Sequence, residues 1–179
     1  MTRRTSPFAA LLAIALGACA SAHDDAPSAA FRPLQRGDTV AVYAARTIDG
    51  DTVRVGPGTT RSPTLVNVWA TWCASCREEF GDLDRIARTH AAAGLRVVAV
   101  SVDEGGTTRV ARFARSRRAS FLVAHDPEGR VERAFSVVAV PSTFLIAPDG
   151  RVLWSHVGAL GRGEPLDAAL RTALAAPSR

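Results

Sequence analysis

The chain has 179 residues, 47% of them apolar and 22% charged, with a formal net charge of +5. That is long enough for one domain with a proper core, and the balance is ordinary for a soluble globular protein. The charge includes Arg3 and Arg4 of a segment expected to be removed, so the mature domain is only mildly basic and charge gives no case for nucleic acid as a partner. All 22 basic residues are arginine, a uniformity that no recognisable site requires and that reads as coding bias.

Residues 1–18 read as a signal peptide of the lipoprotein type. Arg3 and Arg4 form a positive start, and Phe8 to Ala18 is an apolar run of 11 residues, too short to span a bilayer. The residues flanking Arg3-Arg4 match a twin-arginine export signal poorly. Leu16-Gly17-Ala18-Cys19 resembles the bacterial lipobox, which implies lipidation of Cys19 and anchoring to a membrane. The competing reading is cleavage at Ala20-Ser21-Ala22, which would release a soluble protein. Residues 19–36 are rich in Ala, Ser, Asp and Pro without apolar period, and read as a flexible tether to a domain spanning 37–179. Setting Cys19 aside leaves two of the three cysteines, Cys73 and Cys76. In an exported protein such a pair is either a staple or a catalyst.

Within the domain, Thr39–Tyr43 and Thr52–Val55 alternate like strands around the turn signal Asp49-Gly50. A Gly/Pro-rich loop, 56–63, leads into the apolar, β-branched run Thr64–Trp69. Cys76, Phe80, Leu83, Ala87 and Ala91 then recur at helical spacing, and Gly94 is the expected stop. Leu95–Val102 is a second core strand, so the strand–helix–strand run implies a parallel crossover and an α/β fold. Thr108–Arg118 reads as a short helix with Val110, Ala111, Phe113 and Ala114 inward. Phe121–Ala124 reads as a strand, and Asp126-Pro127 as the cap and first residue of a helix reaching about Phe135. Thr143–Ala147 and Arg151–His156 flank Asp149-Gly150 as an antiparallel hairpin, and Glu164–Ala175 closes the domain as a helix.

The two cysteines therefore stand where a buried strand becomes a helix. Residues three apart in a first helical turn share a face, so Cys73 and Cys76 can close a disulfide. The unpaired first-turn N–H groups carry partial positive charge that stabilises a thiolate on Cys73. Cys73 is accordingly the expected nucleophile, and Cys76, on the core side, the thiol that resolves a mixed disulfide. The other readings are a structural disulfide or half of a zinc site. Zinc needs four ligands, and the chain has no second Cys pair or paired His, so no metal is expected.

The segments Val66-Asn67-Val68-Trp69-Ala70-Thr71-Trp72-Cys73-Ala74-Ser75-Cys76 and Val140-Pro141-Ser142-Thr143-Phe144-Leu145-Ile146 resemble the active-site and cis-proline segments of the thioredoxin superfamily. More narrowly, residues 37–175 resemble the membrane-tethered thiol–disulfide oxidoreductases of the TlpA/ResA-like family. The resemblance implies a thioredoxin-like fold: a central mixed sheet flanked by helices, with an N-terminal β-hairpin and a strand–helix insertion. It implies that Pro141 is cis and lies against Cys73, with the Val140 backbone free to pair with an extended substrate segment. Asn67 stands where cytosolic thioredoxins carry a buried Asp, and in the TlpA/ResA-like branch an acid three residues after the second Cys serves the pair. Here that acid is Glu79, which implies a proton-transfer role for it.

Ala74-Ser75 departs from the family, where Pro commonly precedes the second Cys, and this leaves the reduction potential open. Trp72 is expected to be a partly exposed contact surface, and Trp69 and Trp154 core. Glu78 is read as complementing the helix dipole and Arg77 as solvated. The histidines His23, His90, His125 and His156 have no metal spacing. The arginines 109, 112, 115, 117 and 118 suggest either an anionic-lipid contact or, preferably, a solvated helix face.

Together these readings describe a periplasmic, lipid-anchored monomer exchanging its Cys73–Cys76 dithiol with disulfides of exported proteins. No cofactor is called for, so electrons must come from a membrane reductant or another thiol protein. Family analogy makes the pair a reductant, with apocytochrome c or copper-site assembly proteins as candidate substrates. The cytochrome c maturation subgroup usually has Glu after the cis-Pro, where this chain has Ser142. A disulfide-donating oxidase and a non-enzymatic Cu(I) carrier using the same thiols are the rivals. A peroxidase would need a lone reactive Cys in a Pro/Thr pocket, and the chain has none.

Overall fold

Strand β3 (Thr64–Trp69) is buried at every position, because strands cover both its edges and helices both its faces. The computed structural model describes residues 32–161 and 164–175. The signal-peptide segment, Cys19, His23 and most of the tether lie outside the described residues.

The remaining strands are β1 (Tyr43–Thr47), β2 (Thr52–Val55), β4 (Arg96–Ser101), β5 (Leu122–His125), β6 (Ser142–Ile146) and β7 (Val152–Val157). The helices are α1 (Ala74–His90), α2 (Thr108–Ser116), α3 (Arg130–Ala134) and α4 (Glu164–Ala175). All seven strands form one sheet in the order β2-β1-β5-β4-β3-β6-β7. Strands β3, β4 and β5 run parallel, joined by α1 and α2, while β1, β6 and β7 pair antiparallel. This is the expected α/β class with a mixed sheet and an N-terminal hairpin.

Alternate residues of the central strands feed two cores. Leu65 and Trp69 pack with Phe80 and Leu83 of α1, Val110 of α2 and Leu170 of α4. Val66 and Val68 point the other way, against Tyr43, Phe144 and, from the α3 region, Val131 and Phe135. Two successive crossovers moving in one direction along the sheet put α1 and α2 on the same face, and α4 joins them there.

Three elements have a boundary three or more residues from expectation. The first strand is Tyr43–Thr47, not Thr39–Tyr43, because the preceding residues pair with the start of β7 instead. Val40 N–H donates to Gly150 O and Val152 N–H to Asp38 O, at 2.9 and 2.8 Å. Helix α1 stops at His90, and Leu95 N–H closes back on His90 O at 3.1 Å, so Gly94 (φ +85°) ends an extra turn after the helix. Helix α3 starts at Arg130 after Gly129 in the left-handed region, φ +62°. Asp126 still caps it, accepting from Val131 N–H at 2.7 Å, but from five residues back. Its carboxylate is held deep by Tyr43 O–H at 3.0 Å and by Arg130 Nε at 3.1 Å, which leaves Pro127 in a turn before the helix.

Candidate active site

At the end of β3, Trp69 is buried against Phe80 and Phe113, with ring centroids 4.7 and 5.3 Å away. The chain then turns through Ala70–Trp72, and side chains hold that turn in place. Asp103, buried just beyond β4, accepts from Thr71 N–H at 2.8 Å, from the Thr71 hydroxyl, and from Ser101 Oγ at 2.7 Å. Arg77 donates from Nη1 to Thr71 O at 2.9 Å, so it is a brace for the loop and not the freely solvated side chain expected. With its neighbours pinned, Trp72 stands 62% exposed beside the cysteines.

Cys73 is the N-cap of α1, with extended backbone (φ −82°, ψ 114°), and its sulfur accepts from Cys76 N–H at 3.2 Å. A thiolate at that spot would meet the same donor and the positive end of a 17-residue helix. Cys76 is fully buried and Cys73 nearly so, and the two are joined by a disulfide with their Cα atoms 5.3 Å apart. Ser75 Oγ lies 3.4 Å from Cys73 Sγ, a second donor supplied by the unusual Ala74-Ser75 pair.

The Val140–Pro141 peptide is cis, and Val140 O comes within 3.8 Å of Cys73 Sγ. Segments 67 residues apart in sequence thus meet at the sulfur. Val140 is half-buried and Pro141 buried, while Ser142 turns inward and donates to Ala139 O at 2.6 Å.

Glu79 is only 3% exposed. Its carboxyl accepts from Asn67 Nδ2 at 2.9 Å and from Leu160 N–H at 2.7 Å. Burial pushes its pKa above the ordinary carboxylate value, and the two donors only partly oppose that. Glu78 is exposed and lies beyond the first turn of α1, which holds no acidic residue, so it does not complement the helix dipole as expected. Trp154 is half-buried instead of core, stacked on exposed His156. His125 is buried, with Nε2–H donating to Asp103 O at 2.7 Å and Nδ1 3.0 Å from Thr107 Oγ1, a structural arrangement. Among the described residues, no three His, Cys, Asp or Glu side chains come together as a metal site.

Cys73, Cys76, Trp72, Val140 and Pro141 are thus gathered at one end of the sheet, with Glu79 behind them. Asp103, Thr143 and Leu160 join the site without having been singled out by the sequence. An acid just past the carboxyl end of a parallel strand, as Asp103 is, was the one available signal, since such ends collect functional groups in open α/β sheets. Thr143 looks like one residue of an alternating strand, and Leu160 acts through its backbone.

Comparison with known proteins adds an independent line. The family model described as AhpC/TSA family matches residues 37–155. Thiol:disulfide interchange protein DsbE of Allochromatium vinosum is 33% identical over 105 residues, covering 59% of this chain and 53% of that protein. Thiol-disulfide oxidoreductase ResA of Bacillus subtilis is 35% identical over 89 residues, covering 50% of this chain and 49% of ResA. The chain therefore spans about half the length of these curated relatives. A solved structure from Chlorobium tepidum, named as a thiol:disulfide interchange protein DsbE, superposes with a TM-score of 0.70 at 32% identity, covering 79% of this chain and 99% of that one. Sheet order, helix placement, family match and relatives agree: the chain has a thioredoxin-like fold and belongs to the AhpC/TSA family, among relatives of the TlpA/ResA-like kind.

Proposed function

We propose that the protein is an extracytoplasmic thiol–disulfide oxidoreductase that reduces disulfides of exported proteins through Cys73 and Cys76. The observation that carries this reading is the Cys73 sulfur held at the mouth of α1, bonded to Cys76 and facing the cis-proline segment. In the reduced protein, Cys73 thiolate attacks one sulfur of a substrate disulfide and expels the other as a thiolate. Cys76 then gives its proton to the Glu79 carboxylate and attacks Cys73, which releases the second substrate sulfur. The substrate gains two electrons, and the pair ends as the Cys73–Cys76 disulfide. Val140 and Pro141, with Trp72 beside them, provide the surface along which an extended substrate segment lies.

The finer parts of the reading rest on the sequence. A lipobox-like Leu16–Cys19 supports a lipid anchor in the periplasm, and the absence of a bound electron carrier in the scheme calls for a membrane or thiol donor. A monomer is sufficient for this scheme. No helix among the described residues is long and apolar enough to cross a membrane. Ser142 spends its hydroxyl on Ala139 O, so this position lends no support to a specific role in cytochrome c maturation. Redox titration against glutathione distinguishes a reductant from a disulfide donor.

The test is a Cys76→Ser trap. The variant should accumulate mixed disulfides on Cys73, identifiable by mass spectrometry, whereas Cys73→Ser should accumulate none. Failure to recover any adduct on Cys73, or a Cys73 thiol no more acidic than free cysteine, overturns the reading.

A further inference from the structure

The carboxyl of Glu79 is held from two parts of the fold, by Asn67 on β3 and by the Leu160 N–H after β7. Asn67 gives its second amide proton to Thr143 Oγ1 on β6 at 3.0 Å, a contact set by the register that places the two residues opposite each other. Both protons are thus used, and Asn67 Oδ1 is left buried with no hydrogen-bond partner among the described residues. A buried carbonyl without a partner is costly, and natural proteins keep few.

We infer that Asn67 is the positioning residue for Glu79: its amide, held in one orientation by Thr143, donates to the carboxylate and favours the ionised form that takes the proton from Cys76. The ends of the amide do not exchange, because that would strand two N–H groups in the buried place where Oδ1 has no partner. Asp at this position has no donor for a carboxylate, and Leu has neither group. The inference rests on Glu79 being the base of the resolving step, and it names what keeps that base ionised in a dry site.

Among the described residues, the titratable groups around Glu79 are few. Helix α1 contributes Cys76 and Asp82, and the latter opposes ionisation of Glu79. Strands β3 and β6 present the neutral Asn67 and Thr143. From β7, His156 donates through Nε2–H to Ala159 O at 3.2 Å, the carbonyl of the same peptide group whose N–H holds Glu79.

The test follows the Glu79 carboxyl by carbon-13 NMR, its signal identified by its loss in Glu79→Gln, together with the two thiolate bursts released from an aromatic disulfide. The first burst reports attack by Cys73, and the second reports resolution by Cys76. Asn67→Leu should raise the Glu79 midpoint by about one pH unit and slow the second burst about tenfold relative to the first at neutral pH. Asn67→Asp should raise the midpoint further, because two adjacent carboxyls resist ionising together. Thr143→Val, which removes only the hydroxyl, should act in the same direction by about threefold. If Asn67→Leu does not fold, Asn67→Asp and Thr143→Val carry the test. Midpoints unchanged from wild type in the folded variants overturn the inference. If Glu79→Gln resolves as fast as wild type while Asn67 variants still move the midpoint, the role of Glu79 fails and the positioning by Asn67 stands.

Discussion

The two faces of the sheet are built from alternate residues of the same strands, yet they enclose different things. On one face Val66, Val68, Val98, Val100, Phe144 and Ile146 meet Val131 and Phe135, and the carboxylate buried beside them, Asp126, is spent on Tyr43 and on the start of α3. On the other, Leu65, Trp69 and Leu145 surround the disulfide, and Asn67, Glu79 and Thr143 are set among them, buried and bonded to one another. Packing of the first kind stabilises in proportion to the apolar area removed from water. Packing of the second kind gives up part of that stabilisation to keep a carboxyl dry, where its proton affinity rises. One face holds the fold, and the other holds the proposed chemistry.

Changes to each face should therefore separate stability from activity. Cys73→Ser should bring disulfide reduction down to background in an insulin-reduction assay while leaving cooperative unfolding intact. Residual turnover above background would mean that the face around α1 is not the reacting one. Phe144→Ala, on the opposite face, should cost about 3–5 kcal/mol in denaturant unfolding, yet leave the acidity of Cys73 unchanged in the folded fraction. A shift of that acidity would show the two layers to be coupled.

Glu79→Gln should do something a core substitution rarely does. Burial raises the Glu79 pKa, so its favourable contribution is complete in acid, below the unfolded value, and is lost as pH rises through the folded one. The Gln variant should thus be more stable than wild type near pH 7 by on the order of 1 kcal/mol. The difference should vanish below about pH 4. Trp72→Ala should have the smallest effect on stability, within about 0.5 kcal/mol, because the indole is mostly exposed. It should lower kcat/KM for a protein disulfide about tenfold while sparing a small aromatic disulfide.

Most of the fold could be read from sequence because burial of both faces leaves a local mark. Thr64–Trp69 and Leu95–Val102 are mostly apolar, β-branched runs, and the helical spacing after Cys76 is unbroken as far as Ala87. Two of the boundaries that differ, at the first strand and at α3, are decided by partners distant in sequence. Thr39–Val42 alternates like a strand, but the carbonyls available to it belong to residues near 150. Asp126 looks like a local cap, but Tyr43, from 83 residues away, helps hold its carboxylate in the core. The same limit applies at the site. Cys73 and Cys76 announce themselves by spacing, and Pro141 and Glu79 through resemblance. Arg77 looks solvated because nothing in its neighbourhood shows that Thr71 O turns back toward it. Thr143 pairs with Asn67 across 76 residues, and that pairing is legible only once β3 and β6 are in register.

The clasp of Asp103 and Arg77 on Thr71 has a consequence for how such a protein diversifies. In the proposed reaction, the indole that meets a client and the sulfur that reacts with it hang from one short loop, but separate fasteners secure them: a carboxylate and a guanidinium for the loop, a helix mouth for the sulfur. Substitutions at the rim can remodel which clients are welcomed without retuning the reactivity of the thiol. The converse also holds, since the residues between the cysteines can retune it without disturbing the rim.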